Sequence, residues 1–180
     1  MHYIEFIRKN IIEKIREVDK VSFTFPDAAL HATGYHANSF FNRVLFSLLM
    51  DKNKFIYKVN RDWLAFRKFY LNGRAYGGLI SNAKSLAAYL ESVLNHELLS
   101  PEITSMMFTE QMGGMCLGWF KGEVDGKKYY CHSGGGGAYG CEIRIYPSEN
   151  LTSVVMFNRS MMFRDERILD KIDRATIPLI

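Results

Sequence analysis

The densest concentration of chemistry-bearing residues is His132–Gly137, with the sequence HSGGGG. A His ahead of a glycine run can assist proton transfer or polarise a substrate. The glycines let a ligand approach the backbone closely and leave N–H groups free to receive developing negative charge. The same residues also describe a loose turn between two strands, with His132 hydrogen-bonded at the surface. The run contains a literal G-x-G-x-x-G in Gly135, Gly137 and Gly140. A dinucleotide loop needs a strand before it and a helix after it. Here the following residues alternate like a strand, so that reading is rejected. Ser81-Asn82-Ala83-Lys84 is a Ser-x-x-Lys match, a pattern that at a helix start would place a hydroxyl and an activating amine on one face. Tyr70-Leu71-Asn72 is a Tyr-x-Asn match. Ser133 is a further hydroxyl, but no second basic side chain adjoins it, so substrate hydrogen bonding or strand packing is its expected role.

The elements that must position these residues follow from periodicity. Ile4, Ile7, Ile11 and Ile15 share one face and predict an amphipathic helix over Tyr3–Arg16. Val21–Phe25 is a short extended piece stopped by Pro26. Asp27–Asn42 reads as irregular with a bend at Gly34-Tyr35, Leu45–Met50 is ambiguous, and Asp62–Tyr70 reads as weakly helical. Asn72-Gly73 and Gly77-Gly78 are turn signals. Ser81 or Asn82 can cap a helix running to about Asn95, and Ser100-Pro101 opens another over Glu102–Phe108. Asp125-Gly126 then predicts a hairpin joining Cys116–Val124 to Lys127–His132. Gly140–Tyr146 alternates Cys141, Ile143 and Ile145 against Glu142, Arg144 and Tyr146. Leu151–Phe157 is a more continuous apolar strand and so is expected to be more central, and Arg164–Arg174 closes as a helix with Ile168, Leu169 and Ile172 inward. The fold class is α+β: helices and loops followed by a three-stranded antiparallel meander and a C-terminal helix. No internal repeat or linker interrupts the chain, which reads as one domain over residues 1–180.

Composition excludes several classes. Hydrophobic residues make up 48% and charged residues 23%, which suits a packed domain. The formal net charge of +4 is mild, and the basic residues near the N-terminus alternate with acidic ones. That is a solvated helix face rather than a nucleic-acid footprint. Cys116, Cys131 and Cys141 form no C-x-x-C pair and read as small buried hydrophobes, with no metal site expected. No apolar run reaches transmembrane length; Phe40–Met50 is interrupted by Asn42 and Arg43. The opening MHYIEFIRKNIIEKI does not read as a signal peptide, and the compartment stays open.

Ordered short motifs resemble the C-terminal portion of the serine β-lactamase-related family, which includes class C β-lactamases, D-alanyl-D-alanine carboxypeptidases and penicillin-binding-protein-like hydrolases. YIEFIRKNIIEKI is similar to its "Y-I-x-x-N-I-x-x-P-L" helix, and Thr33-Gly34-Tyr35 to its "A-x-GY". GGLISNAKSLAAYL resembles "GGL-S-x-A-x-D-L-A", and LLSPEITSMM resembles "LLS-x-E-x-x-x-x-M". GMCLGW resembles "YGLGW", HSGGGGAYG resembles "H-S/T-G-G-x-x-G-Y/F", and SVVMFN resembles the closing "VVVL-x-N" strand.

The resemblance implies that His132-Ser133-Gly134 is the Lys/His-Ser/Thr-Gly triplet of the site-lining strand. It implies that the Gly135 N–H supplies half of an oxyanion hole, with Ser133, Gly134 and Gly136 along the substrate. It implies amide, β-lactam or ester substrates, an acyl-enzyme, no cofactor, and an extracytoplasmic setting for many members. Ser85 stands where the family usually has Asp, so a contact at that helix start is expected to be missing. The family's Ser-x-x-Lys and Tyr-x-Asn motifs precede the part matched by Tyr3. The matches at Ser81 and Tyr70 come in reversed order, and Ser81 with Lys84 is a weak nucleophile candidate because Ser81 already belongs to the GGLIS match. The expectation is a truncated hydrolase, inactive by itself, completed by an N-terminal chain or present as a homo-oligomer. The rival is a non-enzymatic module holding peptide or cell-wall fragments along the 132–137 strand edge. A chance resemblance would show no strand at Gly140–Tyr146 beside His132.

Overall fold

A computed structural model of the chain describes residues 2–16, 18–19, 21–24, 29–69, 75–136, 138–160 and 168–177. The chain opens with α1 (Tyr3–Asn10) and a single 3-10 turn over Ile12–Lys14, so the expected helix is broken at Ile11. A short strand β1 (Tyr35–Ala37) follows where irregular chain was expected. Helix α2 (Phe40–Leu49) is capped by Ser39, whose side chain accepts from the Asn42 N–H. One turn of helix α3 (Lys52–Phe55) leads into β2 (Ile56–Val59) and β3 (Trp63–Phe66). The weakly helical reading of Asp62–Tyr70 is therefore wrong over its first half: Trp63–Phe66 is the middle strand of an antiparallel sheet ordered β1-β3-β2. Long-range pairing and the burial of Leu64, Ala65 and Phe66 override the local pattern. Phe46 of α2 packs on Leu64 and Phe66. The turn at Asn72-Gly73 lies outside the described residues.

Helix α4 (Ala83–Leu94) starts where the capping pattern placed it, with the Asn82 side chain accepting from the Ser85 N–H at 2.8 Å. Helix α5 (Pro101–Phe108) is capped by Ser100 and has Pro in its first turn. The second sheet is an antiparallel meander of β4 (Phe120–Val124), β5 (Lys127–Gly136), β6 (Tyr139–Tyr146) and β7 (Leu151–Phe157). The expected antiparallel meander is present, and Leu151–Phe157, expected to be more central, joins it as a fourth strand at its edge, paired with β6 along its length. Asp125-Gly126 forms the hairpin, both residues at positive φ. Helix α6 (Ile168–Thr176) closes the described chain.

The meander has helices on both faces. On one, Leu90 and Val93 of α4, Phe108 of α5, Trp119 and Ile145 form the main core, with Tyr130 stacked on Phe108 at 4.1 Å between centroids. On the other lie Glu142, Arg144 and Tyr146, the side of β6 that alternation alone would send to solvent; all three are buried. Arg144 pairs with Glu142 at 2.7 Å, with Asp170 at 2.7 Å and with Asp173 at 3.0 Å. Asp173 also accepts from the Tyr146 hydroxyl at 2.5 Å and from the Ser153 hydroxyl at 2.6 Å. The inward residues of α6 are consequently Leu169 and Asp173, whereas Ile172, expected inside, is 45% exposed. Burial pushes the Glu142 carboxyl up despite the adjacent guanidinium. Burial works against the charge on Arg144, but Tyr146, Glu142 and Asp170 outweigh it and hold its pKa above the ordinary value. One arginine thus fastens three carboxylates and ties α6 to the sheet.

Tyr129 covers this cluster, with the Arg144 guanidinium 4.3 Å from its ring centroid and Tyr146 at 5.2 Å. Its cross-strand partner is Gly122. A Cβ there would stand 2.3 Å from the Tyr129 ring. Tyr129 is held from two sides and cannot swing clear cheaply. Gly122→Ala is therefore expected to destabilise the fold by about 1–3 kcal/mol, read as a lower midpoint in urea with the slope unchanged.

Candidate active-site strand

β5 is ten residues long, and its two halves differ. From Lys127 to Cys131 it is sandwiched between β4 and β6. The last β4 pair is Phe120 with Cys131. From His132 to Gly136 it pairs only with β6, through His132↔Ile143, Ser133↔Glu142, Gly134↔Cys141, Gly135↔Gly140 and Gly136↔Tyr139. No described strand lies on the other side, so alternate N–H and C=O groups of this half face an open edge. His132, Ser133, Gly134, Gly135 and Gly136 are all exposed. Gly137 lies outside the described residues. The strand expected at Gly140–Tyr146 stands directly beside His132, which removes the reading of a chance resemblance.

Glycine weakens a strand, because it contributes no side-chain packing and loses more freedom on ordering. Here the cost has no internal reason. A Cβ at Gly134 would lie 3.8 Å from the Cys141 sulfur, at Gly135 3.6 Å from the Tyr139 carbonyl oxygen, and at Gly136 within 4 Å of nothing. None of these glycines has positive φ. The contrast with Gly122 is direct, since there the chain itself fills the space. Space kept clear along an exposed strand edge fits the close approach of a group that is not part of these residues.

The imidazole of His132 lies 6.3 Å from the exposed Phe120 ring and makes no hydrogen bond among the described residues. It is thus open to a ligand. Cys131, its neighbour in sequence, points to the other face by strand alternation. Burial pushes the Cys131 thiol up to about 11, so it is not a thiolate at neutral pH. Beneath the strand, Ser133 is opposite Glu142 and Cys131 opposite Arg144, so the buried ion cluster underlies the same segment. At the far end Tyr139 anchors the turn: its hydroxyl donates to the Ala32 carbonyl at 2.8 Å, and its ring occupies the space over Gly34, where a Cβ would be 2.9 Å away. This anchor was not foreseen; the available signal was the aromatic after the glycine run together with the lone glycine of Thr33-Gly34-Tyr35.

The other hydroxyl candidate is placed differently. Ser81 precedes the Asn82 cap, so it is outside α4, and its hydroxyl donates to the Asn82 carbonyl at 3.2 Å. The i, i+3 helical relation that would align Ser81 with Lys84 is not formed. Ser85, expected to leave a contact missing, makes one: buried, it donates to the Asp19 carbonyl at 2.7 Å and accepts the Asp19 N–H at 3.0 Å. Tyr70, Leu71 and Asn72 lie outside the described residues. No group of three or more His, Cys, Asp or Glu placed to hold a metal occurs among the described residues.

Solved structures of penicillin-binding proteins share this fold. The octameric penicillin-binding protein homologue from Pyrococcus abyssi superposes with a TM-score of 0.69 at 22% identity, over 97% of this chain and 38% of that one. A penicillin-binding protein from Bacillus halodurans gives 0.64 at 17% identity, over 97% of this chain and 49% of that one. The chain therefore spans less than half the length of either. Comparison with curated proteins returned no match. The sequence profile of the Beta-lactamase family matches residues 2–176, nearly the whole chain. The chain belongs to the beta-lactamase family.

Proposed function

We propose that this chain is one partial domain, truncated relative to its structural neighbours, that provides the substrate strand and half the oxyanion hole of a serine acyl-hydrolase, and that the nucleophile comes from polypeptide outside these 180 residues. The observation that carries this reading is the exposed, sterically clear Gly134–Gly136 segment on an open strand edge beside His132. In the assembled site a serine attacks the carbonyl of an amide, β-lactam or ester. The carbonyl oxygen becomes an oxyanion as the C–O bond to the serine forms, and the Gly135 N–H is directed to it. The C–N or C–O bond of the substrate breaks, the amine or alcohol so formed takes up the proton lost by the serine (staying tethered to the acyl group in a β-lactam), and water then releases the acyl group from the serine. His132, open to the ligand, polarises or orients the substrate, and Ser133 hydrogen-bonds along it. This chemistry needs no metal or cofactor.

Two surfaces support the need for more polypeptide. Apart from the junction at residues 158–160, the outer edge of β7 has no strand partner among the described residues. An apolar groove also runs between α1 and α4, lined by Ile7, Ile11, Phe23, Leu86 and Tyr89, and α1 has no fully buried residue. The completing element is an N-terminal chain or further copies; the octameric state of the Pyrococcus abyssi homologue favours an assembly.

The test is acylation by a fluorescent penicillin. The purified chain is expected to take up no label at one equivalent. Label should appear when a polypeptide carrying Ser-x-x-Lys and Tyr-x-Asn is added, on that polypeptide's serine. Full labelling of the chain alone would overturn the proposal. If no supplied polypeptide restores labelling while extended peptides still protect the 132–136 amides from exchange, the strand edge is a peptide-binding module that adds a strand to the sheet.

A further inference from the structure

The segment from Ser39 to Phe69 differs from the rest of the chain in both charge and exposure. Arg43, Lys52, Lys54 and Lys58 are exposed there, as are Arg61, Arg67 and Lys68, against only Asp51 and Asp62. Seven cations and two carboxylates leave this segment at +5, whereas the whole chain is +4, so the remaining residues together are at −1. Elsewhere cations are commonly paired, as Lys9 is with Glu5, Lys121 with Glu110 and Lys127 with Glu149. None of these seven forms an ion pair among the described residues; Lys54 and Arg67 instead lie over the rings of Phe55 and Tyr57.

The same segment exposes large apolar side chains. α2 turns Phe46 to the core and leaves Phe40 84%, Phe41 70%, Leu48 79% and Leu49 70% exposed. At 100° per residue these and Val44 occupy a continuous half of the helix, an apolar area beyond what scattered surface residues produce. The cations bracket it. Lys52 and Lys54 follow the C-terminal end directly. At the N-terminal end, Asn38 donates from its side chain to the carbonyls of Asn60 and Arg61 at 2.6 and 3.3 Å, which fastens the Arg61 turn there.

We propose that the exposed face of α2, with the lysines and arginines at its two ends, seats on an anionic lipid bilayer surface. An apolar half-helix with cations at its ends can lie flat at the headgroup boundary, its Phe and Leu side chains in the acyl region and its cations among phosphates. A second copy would satisfy the apolar face but bring two +5 segments together. Peripheral seating is meant, since no described helix is long and apolar enough to cross a membrane. The inference does not require hydrolysis at the glycine strand, but it does require the α2 face to stay open beside the completing polypeptide; vesicle binding abolished by that polypeptide would assign the face to it and overturn the proposal.

The experiment is co-sedimentation of the full chain with vesicles of phosphatidylcholine alone or containing phosphatidylglycerol, over a salt series. Binding is expected only to the anionic vesicles and should weaken as salt rises. The double variant Phe41→Ser with Leu48→Ser should lower the partition at least about tenfold. Lys52→Glu with Lys54→Glu should lower it by a similar factor, about tenfold, and flatten the salt dependence. The exposed but distant pair Met106→Ser with Leu117→Ser should change nothing, which separates seating through α2 from adhesion of an unfolded chain. The proposal is overturned by absent binding, by equal binding to neutral vesicles, by equal loss in the distant variant, or by α2 substitutions that dissociate a lipid-free oligomer in sedimentation velocity.

Discussion

Replacing Arg144 by Met is expected to destabilise the chain by about 3–5 kcal/mol, the cost of leaving buried carboxylates without their cation. Arg144 is 2% exposed and is the shared partner of Glu142, Asp170 and Asp173. Removing it strands two acids on α6 and one on β6. The measurement is urea unfolding followed through Trp119, which sits in the core beside this sheet. The control is Arg174→Ala, which breaks the exposed 3.0 Å pair with Asp125 and should cost less than about 1 kcal/mol. Equal small losses would show that α6 is held by its apolar contacts alone. The same cluster sets an alkaline limit. Burial, then the hydrogen bond to Asp173, raises the Tyr146 pKa in the folded chain. A raised folded-state value means that this tyrosine stabilises the fold fully below the ordinary tyrosine range, and that the contribution is lost as pH climbs through and beyond it. Tyr146→Phe should remove that part of the alkaline loss.

If the chain acts as proposed once its completing polypeptide is bound, Gly135→Pro is expected to lower kcat by about 10²–10³, the cost of one oxyanion donor, with the urea midpoint little changed. Proline deletes the N–H, and at an open strand edge this need not break the ladder. Gly135 has no left-handed φ that proline would violate. A sharp loss of stability instead would show that this N–H belongs to the pairing with β6, and the oxyanion assignment would fail. Gly136→Ala completes the argument. A Cβ there meets nothing within 4 Å, so the chain should be as stable or slightly more so, while turnover of bulky substrates falls. Stability and activity moving in opposite directions is the signature of glycine kept for a ligand.

Much of the meander and its helices was readable from local chemistry. Asn82 and Ser100 announced their helices because a capping side chain acts within a few residues, and Asp125-Gly126 announced its hairpin for the same reason. Trp63–Phe66 was misread because its strand character comes from Tyr35–Ala37 and Ile56–Val59, partners that no local window contains. On β6 the period of two was correct, but periodicity cannot say which side is wet. Glu142 and Arg144 look solvent-facing until Asp170 and Asp173 arrive from a helix nearly thirty residues later. For the site, His132 and the glycines were legible as residue types. That the glycines are unneeded by their own chain became visible only when a Cβ could be placed on each.

The contacts of Thr33 and Tyr35 bear on how the molecule comes together in time. The Tyr35 N–H donates to the Asn158 carbonyl, the Ser160 N–H donates to the Tyr35 carbonyl, and the Asn158 side chain donates to the Thr33 carbonyl across 125 residues of sequence. These bonds, together with Tyr139 on Ala32 and Gly34 and with Ala138 in the cluster of Phe46, Leu64 and Phe66, splice the small sheet to the meander. Closing so long a loop costs chain entropy before any contact returns it, whereas the meander closes through short hairpins. Late closure of the splice is therefore the expected order of events, with the small sheet opening before the meander does. Amide exchange checks this: the amides of residues 35–37 and 56–66 should exchange faster than those of 139–157, and equal protection of the two sheets would refute it.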